Sequence, residues 1–76
     1  PLITRLSRLG VGKSARVAFL TPSFHKRFDR LAALGINPGV ELNLHQRKPA
    51  FVVRVGETEL ALDPEIADEI YVRPID

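Results

Sequence analysis

Leu31-Ala32-Ala33-Leu34-Gly35-Ile36-Asn37-Pro38-Gly39-Val40-Glu41-Leu42 changes its apolar period from 3.6 to 2 within a dozen residues, and that change restricts the fold more than any other feature. Upstream, Phe24, Phe28, Leu31 and Leu34 recur at helical spacing with Ala32 beside them, which puts His25, Lys26, Arg27, Asp29 and Arg30 on the outer surface. Gly35 ends this helix because glycine enters the left-handed cap at little cost, and Ile36 is placed to fold back onto the last turn. Asn37-Pro38-Gly39 then reverses the chain into the strict alternation of Val40 to Leu44. A helix is therefore inserted between strands. The connecting stretch has no nucleophile or metal ligand apart from Glu41, so its purpose is architectural.

The remaining elements are short strands. Ser14 to Leu20 alternates, with Ala15, Val17 and Phe19 expected inward and Arg16 outward. Phe51 to Val55, a turn at Gly56-Glu57, and Thr58 to Leu62 read as a hairpin with Phe51, Val53, Val55, Leu60 and Leu62 inward. Two helix-entry signals stand out: Thr21-Pro22 before the inserted helix, which then runs to about Leu34, and Asp63-Pro64 before a short helix whose inner side is Ile66, Ala67 and Ile70. Ile70-Tyr71-Val72 makes a last strand stopped by Pro74, while Leu2, Leu6 and Leu9, cut off by Gly10 and Gly12, predict a short apolar cap. Five short strands with one inserted α-helix, and a short helix before the last strand, predict a mostly β chain forming a small, strongly bent barrel as one domain over residues 1–76.

Size makes that core critical. A domain of 76 residues buries only about 60% of its unfolded surface, and without cysteine it has neither disulfides nor a thiolate metal site to staple it. No apolar run approaches the roughly 20 residues of a spanning helix, and the alternating start of the chain predicts no signal peptide. Opening on Pro1 without an initiator methionine reads as processing or excision from something longer.

Catalytic constellations are nearly absent. Ser23, His25 and Asp29 have the residue types of a hydrolase triad but no oxyanion-forming loop beside them. Gly10-Val11-Gly12-Lys13-Ser14 ends like a phosphate-binding loop, yet it lacks the first glycine and leads into a strand, so no helix N-terminus faces a phosphate. Two potential ligand groups, His25 with Asp29 and the acidic Glu65, Asp68 and Glu69, fall short of a complete metal site. Hence no catalytic, cofactor or metal residue is assigned. The charge distribution is more informative: residues 1–38 hold seven Lys/Arg against one acid, and residues 39–76 hold four against eight. His25, Lys26, Arg27 and Arg30 on the helix are the expected partner-binding residues, with Arg5, Arg8 and Arg16 as support if the fold brings them near. With every Phe on an expected inward position and only Tyr71 outside, stacking on nucleic acid is not expected.

Leu6, Leu9-Gly10, Ala15-Arg16-Val17, Arg30-Leu31, Leu34-Gly35, Pro38-Gly39-Val40-Glu41-Leu42, Leu60-Ala61-Leu62, Ala67 and Ile70-Tyr71-Val72 together resemble the FeoA family of bacterial ferrous iron transport. The resemblance covers almost the whole chain, and the Leu-Gly-x-x-Pro-Gly core is its most specific part. One departure is the stretch His45 to Ala50, where the family often has a longer Gly- and Pro-containing loop. The resemblance implies an SH3-like barrel. It further implies a cytoplasmic, non-catalytic accessory protein that binds the cytoplasmic portion of the membrane transporter FeoB and regulates iron uptake. A related module forms the C-terminal regulatory domain of iron-dependent transcriptional repressors, which is the alternative reading. Self-association into a homo-oligomer stays open.

Overall fold

The computed structural model describes residues 2–22 and 25–75. Its strands are β1 (Thr4–Arg5), β2 (Ser14–Leu20), β3 (Glu41–Gln46), β4 (Phe51–Val55), β5 (Thr58–Leu62) and β6 (Ile70–Ile75), with helices α1 (His25–Ala33) and α2 (Pro64–Ala67) and a 3₁₀ turn at Leu6–Arg8. The six strands form one antiparallel sheet in the order β1-β6-β2-β3-β4-β5. Register shifts in β2 against β6 and in β3 against β4 bend this sheet, as an extra unpaired residue does. The result is SH3-like but open, because β1 and β5 stand at opposite ends of the order and do not pair.

The core lies inside the curl. Leu42 and Leu44 of β3, Val53 of β4, Ile70 and Val72 of β6 and Ala15 of β2 are each at most 1% exposed, and Leu6 and Ile36 are completely buried in the same cluster. Val55, Leu60, Ile66 and Leu20 pack against this cluster at its margin.

The hinge behaves as its residues require. Ile36 N–H donates to Leu31 O at 2.9 Å and Gly35 N–H to Ala32 O at 3.0 Å, the paired bonds of a Schellman motif, with Gly35 at φ +95°. Val40 N–H donates to Asn37 O at 3.1 Å across Pro38 and Gly39, and Gly39 takes φ +92° as a type II turn demands.

Several expectations are corrected. Among the described residues there are six strands and not five: β1 has only two residues, Thr4 and Arg5, paired with Val72 and Tyr71, too short to show any period. The apolar cap at the chain start buries Leu6 and Leu9 but leaves Leu2 exposed. Thr21 and Pro22 are not part of α1, since Thr21 N–H donates to Glu69 O at 2.9 Å and so extends the β2–β6 ladder; Ser23 and Phe24 lie outside the described residues. Phe19 is outside, because the bulge between Val17 and Phe19 reverses the phase of β2 and sets Phe19 opposite Tyr71 and Leu20 opposite Ile70. Phe28 and Leu34 are likewise exposed, which leaves Leu31 as the buried residue of α1. Strand β6 runs through Pro74, since β1 covers only Tyr71 and Val72 and the proline therefore sits on an edge where no N–H is needed. Asp63 occupies the cap position of α2 without a side-chain bond; its carbonyl accepts Ala67 N–H at 3.0 Å.

Candidate functional site

Helix α1 has one firm anchor, Leu31, at 2% exposure. Residues four apart on a helix share a face, so Arg27 is drawn to the same inner side. Its side chain is only 20% exposed; Nη1 donates to Glu69 Oε1 at 2.8 Å and Nη2 lies 3.1 Å from Glu65 Oε1. Glu69 is itself buried, which makes this pair the polar fastening between α1 and the chain after α2. The hydrogen bond to Glu69, with lesser help from Glu65, raises the Arg27 guanidinium above its ordinary range. The expectation that Arg27 faces outward is therefore corrected: its side chain is turned inward onto Glu69 and Glu65.

Lys26 and Arg30 do face outward. Among the described residues neither has an ion-pair partner. With Arg27 they form one wall of an open groove of about 820 Å³, whose floor is Leu31, Leu34, Ala61, Leu62 and Ile66, and whose far side carries Asp63. The side chain of His25 lies outside what is described. The structure thus brings together three of the four expected contact residues and supplies an apolar floor that charge counting alone does not reveal.

The other arginines do not join them. Arg16 donates to Gly39 O at 2.9 Å and lies 3.7 Å from Glu41, while Arg8 lines a separate depression with Gly10, Lys13 and Pro74. Arg5 Nε donates to the Tyr71 hydroxyl at 3.0 Å, and that bond raises its guanidinium above the ordinary range. Tyr71 in turn stacks on Phe19, with ring centroids 4.6 Å apart and planes inclined by 16°. This exposed aromatic and cationic patch escapes sequence reasoning because one bulge creates it, and it removes the premise that the aromatic rings are all internal.

The candidate chemistry separates on inspection. Glu65 and Glu69 turn to Arg27, whereas Asp68 accepts from the Ser7 hydroxyl, so the acidic trio is divided between two partners. Among the described residues no three His, Cys, Asp or Glu side chains gather as a metal-binding group. Gly10 to Lys13 is a turn closed by Lys13 N–H to Gly10 O at 3.1 Å, and it leads into β2. In the short loop after β3, Arg47 donates to Leu9 O and lies over the Phe51 ring at 5.3 Å, which ties the loop to the core. Among the described residues no helix is long and apolar enough to cross a membrane.

A bent SH3-like sheet, a glycine-capped helix and a type II turn at Pro38-Gly39 occur together over residues 4–74, and this span matches the family model of the FeoA domain. The chain belongs to the FeoA domain family. A protein of Leptolyngbya boryana that carries the name Fe(2+) transport protein A is 39% identical over 44 residues, which are 58% of this chain and 54% of that one. The chain therefore matches about half the length of that relative. FeoA of Stenotrophomonas maltophilia, a prokaryotic SH3 domain protein whose structure contains zinc, superposes with a TM-score of 0.80 at 28% identity, over 91% of this chain and 88% of that chain. IdeR of T. acidophilum superposes with a TM-score of 0.89 at 22% identity, over 99% of this chain but 36% of that chain, a likeness of fold.

Proposed function

We propose that this chain is a non-catalytic accessory protein of ferrous iron uptake that works in the cytoplasm by binding the cytoplasmic portion of the transporter FeoB through the outer face of α1. One observation carries the reading: a chain of the FeoA domain family presents Lys26 and Arg30, unpaired among the described residues, at the rim of an open groove. Two unneutralised cations beside apolar surface favour an acidic protein partner and cost the isolated fold little. Lys26 and Arg30 make the contact, His25 belongs to the same face, and Arg27 keeps the helix in position while completing the wall. Residues 1–76 act as one unit in this reading. The repressor alternative shares the barrel through IdeR, yet that likeness reaches the fold alone, and the FeoA match over residues 4–74 favours transport.

The test is affinity for FeoB's purified cytoplasmic portion, measured with Lys26→Glu and Arg30→Glu combined. Binding should weaken at least about tenfold while the thermal midpoint stays put. Arg27 is left out of the reversal, because a carboxylate there would face Glu65 and Glu69 and report on folding instead. Unchanged affinity in the double variant removes this face as the docking site.

A further inference from the structure

We infer that the groove captures its partner as an added β-strand: an extended, acidic segment with apolar side chains at alternate positions pairs with the free edge of β5. This deepens the adaptor reading and rests on it. Strand β5 ends the sheet order and is paired on one side only, with β4. The β4–β5 hairpin turns through Gly56 and Glu57 with Gly56 at φ +62° and no positive φ at Glu57, a type II′ turn closed by Val55 and Thr58. That closure fixes which residues bond across the ladder. Val55–Thr58, Val53–Leu60 and Phe51–Leu62 exchange hydrogen bonds, so the alternate residues Glu59 and Ala61 turn their N–H and C=O groups to the open side.

Exposed edges in native proteins are ordinarily blunted by proline, lysine, bulges or a covering segment. Here β5 runs Thr-Glu-Leu-Ala-Leu in unbroken register, and its one charged side chain, Glu59, is engaged with His45 at 3.1 Å. The edge also borders the groove, since Ala61 and Leu62 line it together with Lys26, Arg30 and Leu34. A strand laid along β5 satisfies the outward groups of Glu59 and Ala61, sends alternate apolar side chains toward Leu34, Leu62 and Ile66, and brings carboxylates to Lys26 and Arg30. The wall's charge selects the occupant: Arg27 is matched by Glu69 and Glu65, but Lys26 and Arg30 have no ion-pair partner among the described residues, and the acid lining the groove with them is Asp63.

The experiment titrates the isotope-labelled chain with a short synthetic peptide of alternating valine and glutamate, and with the same peptide carrying lysine for glutamate. The glutamate peptide should slow hydrogen exchange at the Glu59 and Ala61 amides about tenfold or more, a readout that needs no variant. Lys26→Glu with Arg30→Glu should weaken it about tenfold, and Ala61→Pro, which removes one outward N–H, should abolish the protection at the remaining amide, Glu59. Equal binding of the lysine peptide, unchanged exchange at both amides, or dimerisation through β5 without peptide would overturn strand addition. FeoB binding lost in the charge-reversed variant but kept in a folded Ala61→Pro variant would overturn it too, with the adaptor reading intact. Peptide capture without any FeoB binding would support strand addition and overturn the identity of the partner.

Discussion

Helices α1 and α2 are tied together by Arg27, yet they stand in opposite relations to the core. Helix α2 has four residues and is anchored for its length: Ala67 is completely buried, Ile66 packs at the core margin, and Asp68, just after it, bonds to Ser7 in the 3₁₀ turn, while Pro64 and Glu65 stay exposed. Helix α1 has nine residues, below the roughly 12–15 that hold alone in water, and among its described side chains it places only Leu31 in the core, while Phe28 and, just past its end, Leu34 stay about two-fifths exposed. So α2 is fastened to the core and to the 3₁₀ turn, whereas α1 carries more apolar and cationic surface than the fold uses. That surplus is what a partner can take up.

The most damaging way to probe this difference is Leu31→Ala. Removing the one deep anchor of α1 should destabilise by about 2–5 kcal/mol, read as a lower urea midpoint. Phe28→Ala, on the same helix, should cost well under half of that. Equal losses would mean that α1 is packed as completely as α2, and the contrast would fail. Next in size is Gly35→Ala. A Cβ there would meet Val55 Cγ1 at 3.8 Å, an ordinary contact, so the loss comes from the left-handed backbone alone, roughly 1–2 kcal/mol, and Gly35→Val should exceed it. A Gly35→Val variant as stable as the parent would break the Schellman assignment.

The parts of this fold that were legible in advance are those governed by local chemistry. Gly35, Pro38-Gly39 and the Gly56 turn need particular φ values, and the alternation of Leu42 and Leu44 or of Phe51 and Val53 admits one buried face, so helix end, turns and hairpin could be read directly. What was not legible depends on partners distant in sequence. A two-residue strand such as β1 has no period, and Pro74 looks like a stop unless it is known that β1 covers only Tyr71 and Val72. The bulge at Ala18 turns Phe19 outward although its neighbours read as a continuous alternation. At the candidate site the four contact residues were read from charge, and Arg27 was misplaced because its two acids lie 38 and 42 residues away. The share of β5 in the groove, through Ala61 and Leu62, had no signal at all.

The bulge offers a smaller test. Phe19→Ala should remove the stack on Tyr71 and cost about 0.5–1.5 kcal/mol, far less than a buried phenylalanine would. A loss above about 3 kcal/mol, the range for a phenylalanine in the core, would return Phe19 to the interior and undo the phase reversal.

The smallest expected effect is the most discriminating, because it compares two arginines within one helix. Arg27 and Arg30 are three residues apart, but the first is held by Glu69 and Glu65 and the second has no ion-pair partner among the described residues. Arg27→Gln leaves a buried carboxylate short of its cation and should lower the thermal midpoint clearly. Arg30→Gln removes an exposed charge and should change stability by ~0.5 kcal/mol or less. If its exposure serves recognition, the same substitution should weaken acidic-peptide capture while the unfolding curve overlays the parent. An Arg30→Gln variant that unfolds as early as Arg27→Gln would show that both cations belong to the scaffold, and α1 would then have no charge left over for a partner.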